Sequence, residues 1–260
     1  MLALTLFLIA TPLSVDASKL TISKPAVIVE LDTNKLKGDP FRIAWAPDGQ
    51  QMYLQTVERD RSGRVIAVHH YLLPLNGQAP ARADQEPPWA AEYWSWKSAQ
   101  AAPGVPAMKI EVEEQQKRVS GTATPMGGEL ARGGIEGGGA MDPVGAGAAA
   151  GAMSAAMQSQ VAHYYTLRLK GDVVGQFVNA PAVPGLTFGW GPTDTGLIAY
   201  ADQEGRLVIM DDQGRKQQVP DSRSVLLPGW SPDGKRLAYV ERTGKRKARL
   251  EVVEVKPPAP

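Results

Sequence analysis

The stretch Trp230-Ser231-Pro232-Asp233-Gly234-Lys235-Arg236-Leu237-Ala238-Tyr239 decides the fold. An apolar segment ending in tryptophan meets a Pro-Asp-Gly turn, and a second apolar strand starts at once. The turn has its own chemistry: proline presets φ, aspartate accepts backbone N–H groups, and glycine supplies a positive φ without a Cβ clash. Working outward, the same order of parts appears at Phe41-Arg42-Ile43-Ala44-Trp45-Ala46-Pro47-Asp48-Gly49, followed by Gln51-Met52-Tyr53-Leu54. With the turn displaced it appears at Thr187-Phe188-Gly189-Trp190-Gly191-Pro192-Thr193-Asp194, followed by Leu197-Ile198-Ala199-Tyr200. A degenerate fourth copy puts Glu92-Tyr93-Trp94-Ser95-Trp96 in the first-strand place and Met108-Lys109-Ile110-Glu111-Val112 in the second. A third strand is read at Val27 to Asp32, His70 to Gly77, Tyr164 to Gly171, Leu207 to Gly214 and Leu250 to Val255.

These short alternating runs, bounded by Gly, Pro, Asp or Asn, predict an all-β chain. A strand-turn-strand unit of roughly forty residues cannot bury both its faces alone, so copies must stack, each sheet covering the next. Trp45, Trp96, Trp190 and Trp230 fill the wedge between units in this reading. The expected architecture is a β-propeller over residues 24–256 with about four recognisable blades, either a closed small ring or an open partial one. The chain starts and ends with third-type strands, so the N-terminal segment is placed to complete the C-terminal blade. An open arc would leave sheet edges free for oligomerisation.

The segments around Trp45 and Trp230 resemble the repeat of TolB-type β-propellers, relatives of the WD-repeat blade; the copy at Trp190 fits in part and that at Trp96 poorly. The resemblance implies a scaffold or protein-binding module of the bacterial envelope or exterior. TolB itself carries a further N-terminal α/β domain, for which no segment is read here.

Composition bounds the rest. The 260 residues hold no cysteine, 28 Lys+Arg against 27 Asp+Glu, 27 glycines and 21 prolines. Disulfide scaffolds and thiolate metal sites are excluded, and the near-neutral balance argues against nucleic-acid binding by bulk charge. Residues 1–17, MLALTLFLIATPLSVDA, read as a signal peptide: an apolar run from Leu2 to Ile9, a breaker at Pro12, and Val15 and Ala17 suited to cleavage before Ser18, though a basic start is missing. Residues 120–160 form a Gly/Ala-rich insertion, densest from 127, with too few bulky side chains to offset its ordering entropy.

Chemistry is sparse. Ser231 sits in the nearest approach to a nucleophile elbow, but aspartate stands where the second glycine is needed, and Asp48 and Asp233 read as turn residues. Three histidines, His69, His70 and His163, occupy similar strand places; neighbours in a strand face opposite ways, so His69 and His70 do not easily serve one site. Asp202-Gln203-Glu204-Gly205 and Asp211-Asp212-Gln213-Gly214 read as hairpin turns. The basic run Arg242 to Arg249 reads as a solvated hairpin tip, with an anionic partner as the other reading. Trp89, Tyr93, Trp94 and Trp96 are either core or an exposed partner surface.

The function expected is therefore non-enzymatic: a periplasmic or secreted module binding an envelope or extracellular protein. No catalytic, cofactor or metal residue is assigned, no binding residue is identified, no nucleic acid is expected, and no membrane span follows signal removal. The alternatives are a hydrolase or lyase using carboxylates at the propeller channel on a glycan or peptide, and a sensor fragment of a larger protein.

Overall fold

The computed structural model describes residues 15–61, 64–99, 101–102, 105–116, 161–169, 171–179, 187–192 and 195–257. The insertion at 120–160 and nearly all of the leader at 1–17 lie outside the described residues. A single 3-10 turn, Ala17–Lys19, precedes two N-terminal strands, β1 (Thr21–Ile22) and β2 (Ala26–Asp32). The first complete sheet runs β3 (Asp39–Trp45), β4 (Gln51–Arg59), β5 (Val65–Pro74) and β6 (Ala81–Ala83) in sequence order. Helix α1 (Pro88–Lys97) follows, then a second sheet of β7 (Ala101–Ala102), β8 (Val105–Gln116), β9 (Val161–Leu169) and β10 (Asp172–Asn179). The third comprises β11 (Phe188–Trp190), β12 (Ile198–Ala201), β13 (Leu207–Met210) and β14 (Lys216–Gln218). The fourth takes β15 (Val225–Trp230), β16 (Arg236–Gly244) and β17 (Lys247–Lys256) from the C-terminus, and β1 and β2 pair with β17.

Among the described residues all the pairings are antiparallel, and no sheet closes on itself. The chain is mostly β, as its sequence pattern predicts. Its two ends meet in one sheet, with Asp32 opposite Lys247, Val29 opposite Leu250 and Ala26 opposite Val252. Joining the ends in this way makes the fourth sheet depend on residues more than two hundred positions apart in sequence. Each complete unit holds four strands, not three. The outermost strands β6 and β14 are three residues each and largely polar or exposed, so they carry no alternation that a sequence reading could detect.

The turns form as the sequence predicts. Gly49 and Gly234 adopt φ of 66° and 68°. Gln50 N–H donates to Asp48 Oδ1 at 2.9 Å, and Lys235 N–H to Asp233 Oδ1 at 3.1 Å.

Trp45, Trp190 and Trp230 close β3, β11 and β15, and each is almost wholly buried against the neighbouring sheet. The Trp45 indole N–H donates to Gly229 O in the fourth sheet at 2.9 Å. Trp230 packs among Leu197, Ala199 and Ile209 of the third sheet, while Trp190 packs with Ala102 and Met108 of the second and donates to Ala99 O at 2.6 Å. Each such aromatic contributes about 1.5–3 kcal/mol by burial. The sheets approach closely where side chains are smallest: a Cβ on Gly189 would stand 2.5 Å from Pro228 O.

The fourth copy differs. Glu92 to Trp96 are not a strand but lie in α1, and the short β7 takes the first-strand place beside β8. Pro88 stands at the first helical position, where a missing N–H costs nothing, after extended Pro87. The apolar residues Trp89, Ala90, Ala91, Tyr93, Trp94 and Trp96 are spread around the helix, so no one-sided stripe announces it. Buried Tyr93 donates its hydroxyl to Trp230 O at 2.6 Å, and buried Lys97 donates to Phe188 O at 3.0 Å. With Trp94 against Arg42 of β3, the helix bridges β3, β11 and β15.

Candidate functional site

Helix α1 packs against β3, β11 and β15. Tyr93 and Lys97 are buried there; burial raises the phenol well above its ordinary value and lowers the ammonium well below its own. Trp94 lies 4.4 Å from Lys97 Nζ. The tryptophans and Tyr93 therefore serve the core, with Trp89 and Trp96 only partly buried.

A solvent-open cleft of about 260 Å³ lies instead on the outer side of the first sheet. Its lining is Val68, His69 and His70 from β5 and Arg82, Ala83 and Asp84 from β6 and the residue beyond it. Strand β6 pairs with β5 only at His70, Tyr71 and Leu72 and then ends, so the edge opens where the two strands part.

The two imidazoles lie on opposite faces, as strand alternation demands. His69 sits opposite Thr56 and its Nε2 lies 2.7 Å from Glu58 Oε1; the carboxylate can only accept, which places a proton on Nε2. His69 Nδ1 is buried and has no partner among the described residues. On the other face, His70 Nδ1 lies 2.6 Å from Tyr53 Oη, and the rings stack with centroids 5.9 Å apart. Burial, reinforced by Glu86, keeps the Tyr53 phenol protonated far above its ordinary range. That phenol donates to Nδ1, so neutral His70 carries its proton on Nε2.

The cleft thus offers donors from the exposed Arg82 guanidinium and His70, and an acceptor from exposed Asp84. That set suits a polar ligand with mixed charge. It lacks an imidazole and carboxylate converging on one point with a nucleophile, as acid–base chemistry needs. Among the described residues, no group of three or more His, Asp or Glu is disposed to hold a metal ion.

Glu58, Arg82, Asp84 and Tyr53 were not singled out from sequence. Glu58 and Tyr53 become visible only once the β4–β5 register is known, since they reach the histidines diagonally across the hairpin. His163 lies in β9 opposite Glu114 and Asn179, and its side chain is outside the described residues. Ser231 is fully buried in its turn, accepting from Arg236 N–H at 2.9 Å and bonded to Asp233.

The acidic turns share one device. Asp202 accepts from Arg206 N–H and from Arg206 Nε, Asp211 does the same for Arg215, and Asp60 for Arg64, all between 2.7 and 3.0 Å. These carboxylates close hairpins.

No family model matches the chain, and no curated protein matches it. Among solved structures it is similar to an oligogalacturonate lyase in complex with manganese, at 13% sequence identity and a TM-score of 0.23, over 84% of this chain and 48% of that one. The chain thus spans about half the length of that protein.

Proposed function

We propose that the chain is a TolB-like β-propeller module whose four sheets are its blades, and that it acts in the cell envelope or outside it by binding a protein partner. It is not an enzyme in this reading. The observation that supports the proposal is what α1 presents to β3, β11 and β15: buried Tyr93, Trp94 and Lys97, with no carboxylate among them. Asp60, Asp202 and Asp211 close turns, and the polar groups of the cleft stand at a sheet edge, as in a module that recognises a partner's backbone or charged side chains.

The cleft between His69, His70, Arg82 and Asp84 is the proposed contact. A photo-crosslinking residue placed at Arg82 should give a discrete adduct with one envelope protein, and the adduct should disappear in the Asp84→Ala variant. The same probe at exposed Lys24, between β1 and β2, should give none. Equal labelling from both places would refute the assignment. Hydrolysis or elimination of a glycan or peptide that depends on His69 would refute the non-enzymatic reading.

A further inference from the structure

One end of the molecule is assembled from three segments that touch. Thr33 N–H donates to Arg246 O at 3.1 Å, Arg246 Nη1 donates to Asn34 Oδ1 at 3.2 Å, and Lys247 lies opposite Asp32. On its other side the same connection, residues 33–38, rests on β4: Thr56 Oγ1 donates to Leu36 O at 3.0 Å, and a Cβ on Gly38 would stand 2.5 Å from Val57 O. The β4–β5 tip follows directly, its base closed by Asp60 N–H donating to Arg64 O at 2.9 Å. The connection and the tips of two hairpins therefore form one continuous surface.

Its charge is mostly positive, although Asp32 also stands on it, accepting from Asn34 N–H at 2.9 Å. Arg64, Arg242 and Arg249 pair with Asp60, Asp39 and Glu30. Lys35, Lys37, Arg61, Lys245 and Lys247 are exposed, and among the described residues none of them pairs with a carboxylate. Five unpaired cations on three adjoining segments contrast with a net charge of +1 for the whole chain. Beside them, at the start of β5, Val65 and Ile66 are 46% and 63% exposed. Branched apolar side chains among free cations face solvent here at a cost that a partner of matching character would remove.

We propose that this end docks on the headgroup plane of an anionic lipid bilayer, with the five cations meeting phosphates and Val65 and Ile66 entering the acyl boundary. The cations are spread over the connection and the two hairpin turns that adjoin it, which suits a plane of charge. The tips carry no aromatic side chain on which a nucleic-acid base could stack. Apolar side chains gain little from a soluble polyanion but partition into the interface. No described helix is long and apolar enough to cross a membrane, and surface docking needs none. The proposal goes beyond the partner-binding reading and uses none of the groups lining its cleft.

Cosedimentation of the full chain with vesicles tests it. Binding is expected to phosphatidylglycerol mixed with phosphatidylcholine, to weaken as salt rises, and to be absent with phosphatidylcholine alone. Each cation near the surface is worth roughly fivefold in partitioning, so Lys245→Ala with Lys247→Ala should lower it roughly 25-fold. Lys24→Ala with Lys235→Ala changes net charge equally at the other end of the same sheet and should leave binding intact. Ile66→Ser should lower binding several-fold even in high salt. Circular dichroism establishes that each variant is folded. Equal losses for the two double variants, or binding to the neutral vesicles as strong as to the anionic ones, would overturn the proposal. So would binding of an anionic polysaccharide or duplex DNA, unaffected by Ile66→Ser, with no binding to the anionic vesicles.

Discussion

Replacing Glu241 by glutamine should flatten the dependence of stability on pH. Glu241 of β16 pairs with Arg249 of β17 and lies beside Glu251, which is buried and accepts the Tyr239 hydroxyl at 2.6 Å. Burial, then the charge of Glu251 and a hydrogen bond to it, push Glu241 from its ordinary 4.5 up to about 7, against the opposing pull of Arg249 and Arg223. An acid with a raised value in the fold binds its proton more tightly folded than unfolded. Its contribution is fully present below about 4.5 and is lost as pH rises through about 7. For a fully buried acid that span would be worth about 3 kcal/mol. Glu241 is only partly buried, and solvent screening reduces the expected effect to about 1–2 kcal/mol. Urea unfolding of both proteins at intervals from pH 4 to pH 8 measures it, the difference between them cancelling groups they share. The wild type should lose about 1–2 kcal/mol more than Glu241→Gln across that range. Parallel profiles would refute the shared-proton account.

Three further outcomes follow from the packing. Gly189→Ala drives a Cβ against Pro228 O and should cost about 1–3 kcal/mol or more, read as a fall in melting temperature of roughly 2–4 °C per kcal/mol. Trp45→Phe leaves Gly229 O without its indole donor, whereas the Trp230 indole N–H has no partner among the described residues; Trp45→Phe should therefore be the more destabilising by about 1 kcal/mol in chemical unfolding. The lowered value of Lys97 means that wild-type stability rises as pH climbs from its folded value toward 10.5, and a Lys97→Met variant should lack that alkaline gain. An unchanged alkaline slope in the variant would show that Lys97 is not the group responsible.

The strand-turn-strand logic was legible because its signals are local. Gly49 and Gly234 take the backbone conformation that their Pro-Asp-Gly context demands, and the tryptophans before them occupy one repeated interface. The helix was not legible. Its apolar groups surround the axis, and the reason for them lies in β3, β11 and β15, distant in sequence. The histidines were visible as residue types, but their surroundings depend on a hairpin register that brings Glu58 to His69 and Tyr53 to His70. The hairpin turns at Asp202 and Asp211 were legible, but the arginine four residues after each, and after Asp60, was not, since only the paired contacts give that spacing a meaning.

The helix also explains why function is proposed at the periphery. Where an inner strand with a tryptophan would repeat a fourth time, the chain coils and projects Tyr93 and Lys97 onto the carbonyls of Trp230 and Phe188. Those two bonds tie β11 and β15 to one element. Trp96 touches the apolar clusters on both sides of the fourth sheet, so displacing α1 to open a channel would uncover two cores at once. Recognition then falls to groups that can change partner without disturbing that arrangement: a sheet edge left short by β6, and cations on tips whose own hairpins are already closed by Asp60 and by the pairing of Lys247 with Gly244.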